Sequence, residues 1–212
     1  GVQDAVNNVN GPIRDRIVGM DPSNQSKIDK AMIELDGTPN KGNLGANSIL
    51  GVSLACLRAA SGRQLWKHLS RDGEISIPVP MMNILNGGAH ADTNVDVQEF
   101  MVIPHGFESF PEALQAGVET YHSLKKLLQD EQLLGGVGDE GGFAPSLPRN
   151  DEGLRLVLEA IKGAGYSPGE QISIALDVAA QEFFDGEKYQ LDGMALSGSE
   201  LGRLYSTWID NY

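Results

Sequence analysis

The feature of the sequence that most constrains the fold is a change in hydrophobic periodicity near Gly73. Before this residue, apolar side chains recur every three or four positions, which is typical of helices. After it, they alternate with polar side chains, which is typical of strands. A polar, glycine-containing hinge, SRDGEISIP, covers the change. We therefore predict two domains, a helical one over residues 1–74 and an α/β one over residues 75–212.

The first domain contains helical segments separated by short breaks. Gly11-Pro12 interrupts the first segment, and Ser23 or Asn24 can cap the next one. The stretch ILGVSLACLRAASGRQLWKHL is apolar nearly all round, which predicts a buried helix. Because none of these segments brings together chemically active side chains, the pattern favours a packing domain.

The second domain mixes strands and helices. The predicted elements are strands over 75–85 and 95–103, a helix over 110–131, a glycine-rich loop over 135–148, a helix over 151–165, a strand over 172–180, a hairpin over 182–191 and a C-terminal helix. This order begins an α/β array, but a closed eight-stranded barrel needs about 250 residues. We therefore expect the first part of a barrel, belonging to a longer chain.

Composition narrows the classes of partner. The chain has 212 residues and a formal net charge of −13, so nucleic acid and anionic lipid would be repelled. An anionic substrate would need a metal ion or local basic residues. No apolar run is long enough to cross a membrane, so we expect no membrane insertion. The single cysteine, Cys56, excludes an internal disulfide and fits a cytoplasmic location.

Two carboxylates stand out in the predicted strands. Asp177 ends the apolar strand ISIALD, and acids at the carboxyl ends of barrel strands are typical of active sites. Its oxygens suit Mg²⁺, although Asp177 could instead cap the following turn. Glu99 shares a strand face with apolar residues, where an unpaired charge is costly. Its partner could be functional or a structural arginine, whereas Gln98 points to the other face in an ideal strand.

Two loops carry further candidates. Glu140 lies in GGVGDEGGF, where glycines allow the backbone to bring an acid close to a ligand. Residues 136–141 also fit GxGxxG, but Pro145 follows where a helix should begin, so we reject a dinucleotide site. His90 lies in NGGAHADTN, a loop that could close over a substrate or simply lie at the surface.

These segments resemble the enolase family, also called phosphopyruvate hydratase. The similarity is carried by PVPMMNILNGGAHADTNVDVQEFMVIP, VGDEGGFAP and ALDVAAQEFF, with IELDGTPNKGNLGANSILGVSLA upstream. It covers essentially the whole chain and is closest to the bacterial type. It implies the helical part of an enolase N-terminal α+β domain, followed by the first part of an enolase-type α/β (TIM-like) barrel.

The resemblance also implies a reaction and roles for residues. Enolases interconvert 2-phosphoglycerate and phosphoenolpyruvate plus water in glycolysis, with Mg²⁺ as cofactor. By similarity, Glu140 is the acid that assists departure of the hydroxyl. His90, Gln98 and Glu99 bind substrate, and Asp177 is the first of three carboxylates on Mg²⁺. The other two carboxylates and the base lysine come from later strands in the family, so we expect activity only from the complete chain.

The sequence leaves two alternatives to the enolase reaction open. An enolase-derived interaction module would bind a partner protein, for instance at the cell surface, without catalysis. A sister dehydratase would act on acid sugars, but the two loops resemble those of the phosphoglycerate enzyme. The resemblance further implies a cytoplasmic homodimer or higher oligomer, with a possible secreted or surface pool.

Overall fold

The structure is a computed structural model that describes residues 2–62, 64–70 and 75–212. The chain divides after Ser76 into two compact units. The boundary predicted at Gly73 lies outside the described residues, so that position stays a prediction.

The first unit is helical. Its helices are α1 (Gln3–Asn8), α2 (Arg14–Ile17), α3 (Gln25–Asp36), α4 (Ala46–Ser61) and α5 (Leu65–Leu69). A π-helical turn, Val9–Ile13, joins α1 to α2, and the backbone kinks at Gly11 as the Gly-Pro pair predicts. The core consists of buried apolar side chains, namely Ile13, Ile28, Met32, Leu44, Ile49 and Val52.

Helix α3 begins and ends at residues suited to those positions. The side chain of Asn24 accepts a hydrogen bond from the Lys27 N–H at 3.2 Å, which confirms Asn24 as the cap. The helix ends at Gly37, whose backbone is left-handed. The buried carboxylate of Asp36 then accepts the Leu44 N–H at 2.7 Å, and so fixes the loop between α3 and α4.

Helix α4 is not buried all round within this unit, and that prediction is wrong. Its buried residues are Ser48, Ile49 and Val52, whereas Leu50 and Leu54 are 59% and 46% exposed. Within this unit the helix contacts α1, the Val9–Ile13 turn, α3 and α5. Apolar composition alone therefore overestimated its burial.

The second unit combines a five-stranded sheet with three long helices. The sheet contains β1 (Met82–Asn86), β2 (Glu99–Ile103), β3 (Gly136–Val137), β4 (Phe143–Ala144) and β5 (Ser173–Asp177). The helices are α6 (Phe110–Asp130), α7 (Asp151–Gly163) and α8 (Gly198–Asn211). A separate hairpin is formed by β6 (Tyr189–Leu191) and β7 (Met194–Leu196).

The strand order in the sheet is β3-β4-β1-β2-β5. Strand β2 runs antiparallel to both of its neighbours, β1 and β5, whereas β4 runs parallel to β1. Among the described strands the sheet is open, with β3 and β5 at its edges. This arrangement agrees with the predicted first part of an α/β barrel.

Several predicted boundaries differ from the structure. The first strand begins at Met82, and Ile77 upstream of it is 71% exposed. A segment with alternating apolar residues forms a strand only when a neighbouring strand pairs with it. The prediction that the strand begins at residue 75 is therefore wrong. Strand β2 begins at Glu99 instead of residue 95, because the preceding residues form the loop. The hairpin lies over β6 and β7, later than predicted, and its turn includes Asp192 with positive φ.

Helix α6 buries only part of its apolar side chains. Its start is a capping box of Ser109 and Glu112. Leu114 and Val118 are partly exposed, at 40% and 39%. The buried face consists mainly of small residues that allow close packing, namely Ala113, Ala116, Gly117 and Thr120, together with Leu124 and Leu128.

Among the described helices, none is both long enough and apolar enough to span a lipid bilayer.

Candidate active site

Three polar residues at strand ends lie side by side at one end of the sheet. Glu99, the first residue of β2, lies opposite Asn86, the last residue of β1, and opposite Asp177, the last residue of β5. Because β2 is antiparallel to both neighbours, its amino end coincides with their carboxyl ends. The two carboxylates predicted from separate strands are therefore brought together by the topology.

The loop between β1 and β2 carries His90. The loop folds back on itself, since the Gly87 N–H donates to the Gln98 carbonyl at 3.0 Å and the Gly88 N–H to the Val95 carbonyl at 2.7 Å. His90 ends a short 3₁₀ turn in this loop. Its Nδ1 lies 3.4 Å from Glu99 Oε1. The imidazole thus faces the end of the sheet where Glu99 lies, instead of projecting freely from the surface.

The loop between β3 and β4 carries Glu140. The Gly138 N–H donates to the Gly142 carbonyl at 2.8 Å, and the Asp139 N–H donates to the His90 carbonyl at 3.0 Å. The Tyr121 hydroxyl of α6 donates to the Gly141 carbonyl at 3.0 Å. These bonds connect the loop to α6 and to the His90 loop, and they place Glu140 Oε2 4.0 Å from His90 Nδ1.

Glycine is required where this loop approaches β1. A Cβ at Gly138 would lie 2.8 Å from the Cβ of Asn86, and a Cβ at Gly142 would collide with the Asn86 side chain. The two glycines therefore let the loop lie directly on Asn86. From the sequence, these glycines had been linked only to the approach of a ligand. The GxGxxG match is part of this short hairpin loop, and Pro145 follows it without a helix, so the rejection of a dinucleotide site agrees with the structure.

The carboxyl group of Glu99 lies in an environment that disfavours its charge. Its side chain is 15% exposed. Burial raises the pKa of Glu99, and the negative charges and hydrogen bonding of Glu140 and the charge of Asp177 raise it further, while His90 partly opposes the effect. A proton on Glu99 is therefore favoured more than on an isolated glutamate in water.

Three side chains of the cluster could act together as ligands. One donor atom each of His90, Glu99 and Glu140 lies within 4.8 Å of the others. Nitrogen and oxygen donors of this kind suit a divalent cation such as Zn²⁺, whereas Mg²⁺ prefers oxygen donors alone. The same proximity suits proton exchange between the imidazole and the two carboxyl groups.

Asp177 lies at the exposed end of β5. Its Oδ1 accepts the Ala179 N–H at 3.0 Å, so the aspartate does cap the following turn, as the structural alternative held. One such bond occupies one oxygen and is compatible with a ligand role for the other. A carboxylate oxygen at the end of β5 is the kind of ligand that Mg²⁺ prefers.

Gln98 precedes β2 and is half-buried. Its carbonyl accepts the Gly87 N–H at 3.0 Å, and its side-chain amide makes no hydrogen bond to the described residues. The amide is thus available to another group. Whether it contacts a substrate stays a prediction.

The sequence reasoning missed two asparagines of β1. Asn83 donates from Nδ2 to Glu140 Oε2 at 3.1 Å, and Asn86 is fully buried against the Glu140 loop. The signal was present in the sequence, because an amide in the apolar strand MMNILN needs a polar partner when buried.

The fold and the site together define an α/β protein with an acid–base cluster at one end of its sheet, where the carboxyl ends of β1 and β5 flank the amino end of β2. Comparison with family models matches residues 74–212 to the enolase C-terminal TIM barrel domain and residues 1–69 to the enolase N-terminal domain. The chain belongs to the enolase family.

Proposed function

We propose that this chain forms part of a Mg²⁺-dependent lyase that interconverts 2-phosphoglycerate with phosphoenolpyruvate and water. The observation that carries the proposal is the grouping of Glu99, Glu140 and His90 beside Asp177 in a chain of the enolase family. The resemblance of the two loops to the phosphoglycerate enzyme supplies the substrate. The geometry supplies an arrangement in which acid–base chemistry is feasible.

The two glutamates are suited to expelling a hydroxyl group. A hydroxyl leaves readily as water only if an acid protonates it, and that acid must carry a proton beforehand. The raised pKa of Glu99 favours a proton on its carboxyl group, which lies next to Glu140. Glu140 is the more accessible member, with a side chain 49% exposed, so we assign the transfer to the departing oxygen to its carboxyl group.

The remaining candidates bind and orient the substrate. His90 lies on a loop at the same end of the sheet as Glu99 and can contact an anionic group. The side-chain amide of Gln98 can donate or accept a hydrogen bond. Glu99 lies between the two loops and supports Glu140. These roles are those implied by the family resemblance.

Asp177 would contribute an oxygen ligand to Mg²⁺ at the end of β5. When bound, the ion supplies positive charge that stabilises the negative charge built up as a proton is removed beside a carboxylate. This contribution matters in a chain with a net charge of −13, which would otherwise repel a phosphorylated acid.

The test is a product analysis with the full-length protein. We expect ³¹P NMR to show 2-phosphoglycerate converting to phosphoenolpyruvate, with conversion abolished by chelation and restored by Mg²⁺. A panel of acid sugars run in parallel should give no product. Turnover of an acid sugar but not of 2-phosphoglycerate would contradict the proposed substrate.

A further inference from the structure

A β-bulge in β1 places two asparagines on the face of the sheet that carries Glu99. The register pairs Asn83 with Met101 and Asn86 with Glu99, and it shifts by one residue between Asn83 and Leu85. In a regular strand, residues three apart point to opposite faces. The extra residue restores the same face for Asn83 and Asn86.

The other face of β1 confirms this assignment. Met82 packs its sulfur over Gly117 of α6, and Leu85 is fully buried in the core. Both residues therefore point to the helix layer. The face that carries the asparagines is the opposite one, where the Glu140 loop lies.

Asn83 is the side chain of β1 that reaches the carboxyl group of Glu140. Its Nδ2 donates to Glu140 Oε2 at 3.1 Å. The Oδ1 of the same amide is buried and has no hydrogen-bond partner among the described residues. A buried acceptor oxygen without a hydrogen-bond partner costs free energy, so its retention calls for an explanation.

Asn86 packs against the same loop. Its Nδ2 donates to the Gln98 carbonyl at 3.4 Å, and its side chain contacts the loop where Gly138 and Gly142 leave room. The loop is thereby held against β1 on both sides of Glu140. The carboxyl group itself is held by Asn83.

We propose that Asn83 is a positioning residue for Glu140, holding the carboxyl group of the acid in place from the neighbouring strand. The inference rests on the proposed function, in which Glu140 protonates the leaving hydroxyl. An amide suits this task because it offers both a donor and an acceptor. It can donate to the ionised carboxylate through Nδ2 and, after rotation, accept from the protonated carboxyl group through Oδ1.

A kinetic test in the full-length protein uses substitutions of similar size. Asn83→Leu removes the donor while keeping the shape, and we expect kcat to fall about ten- to hundredfold with KM changed less than about twofold. Asn83→Asp places a carboxylate beside Glu140 and should also lower kcat. Gln115→Met on α6 is the matched control, because Gln115 donates to Glu119 in an exposed pair at 2.7 Å. A folded Asn83→Leu protein with wild-type kcat would overturn the proposal.

An NMR test does not depend on activity or on the Leu variant folding. The side-chain amide protons of Asn83 should shift when Glu140→Gln replaces the carboxylate, while those of Gln115 stay unchanged. Unchanged Asn83 signals would overturn the proposal. If the wild-type protein fails to convert 2-phosphoglycerate but the Asn83 signals respond, the contact stands and the proposed function fails.

Discussion

Glu99 and Asp177 lie directly opposite each other across two antiparallel strands, one at the start of β2 and the other at the end of β5. The pairing places the partly buried carboxylate of Glu99 next to the exposed carboxylate of Asp177 at the same end of the sheet. Their environments differ accordingly, since burial and neighbouring carboxylates raise the pKa of Glu99, whereas Asp177 is open to solvent. This difference supports separate roles, proton retention for Glu99 and metal binding for Asp177.

The ligand role of Asp177 is tested by its amide analogue. Asp177→Asn keeps the size and can still cap the turn to Ala179, but it removes the negative charge that attracts the ion. We expect the Mg²⁺ concentration for half-maximal activity of the full-length protein to rise by about tenfold or more. Asp130→Asn, at the end of α6, serves as a control. An unchanged metal titration would show that Asp177 is not a ligand.

The environment of Glu99 predicts a pH-dependent stability. Because the pKa of Glu99 is raised above 4.5 in the folded protein, chiefly by burial and then by Glu140, ionising it opposes folding. The group favours the folded state at low pH, and this contribution is lost as the pH rises through the raised pKa. Glu99→Gln should therefore increase Tm at pH 7 in metal-free buffer, with a smaller difference near pH 4. A Tm that falls at pH 7 would contradict this environment.

Asn150 is expected to be the most sensitive polar residue of the second unit. Its Oδ1 accepts the N–H groups of Asp96 and Val97 at 2.8 and 2.9 Å, and its Nδ2 donates to the carboxylates of Asp96 and Asp192 at 2.8 and 2.7 Å. This single amide joins the start of α7 to the chain before β2 and to the β6–β7 turn. It therefore holds in place the segment that leads into Glu99.

Replacing this amide with a carboxylate should expose its importance. Asn150→Asp would bury a third carboxylate beside Asp96 and Asp192, and we expect the free energy of unfolding at pH 7 to fall by about 3 kcal/mol. Part of the loss should be recovered on acidification, because protonation removes the repulsion. Asn7→Asp, at an exposed position of α1, should change little. Chemical denaturation at pH 5 and pH 7 measures both, and a neutral effect of Asn150→Asp would contradict the network.

Much of the candidate site could be predicted from residues in unusual places. Glu99 was identified because a charge on the apolar face of a strand requires a partner or a use. Asp177 was identified because it ends an apolar strand, where α/β barrels carry functional acids. The glycines around Glu140 indicated a close approach, although they accommodate Asn86 as well as any ligand. The role of His90 came from the family resemblance, since a histidine in a glycine-rich loop has no distinctive local pattern.

Other features depend on pairing between distant segments and could not be predicted locally. Because β2 runs antiparallel to β5, Glu99 and Asp177 lie at the same end of the sheet. No residue of β2 by itself encodes that direction. The bulge in β1 moves Asn83 to the side of Glu140, so strict alternation misplaces it. Likewise, the apolar residues of α4 do not say which of its sides is covered.

The assignment of Glu140 as the acid tests the central claim most directly. Glu140→Gln in the full-length protein removes the transferable proton and leaves Asp177 intact. We predict that conversion of 2-phosphoglycerate falls at least a hundredfold, while the Mg²⁺ affinity measured by calorimetry changes less than about threefold. Glu108→Gln, at an exposed glutamate, should retain wild-type turnover. Near-normal conversion by the Glu140→Gln protein would contradict the proposed site.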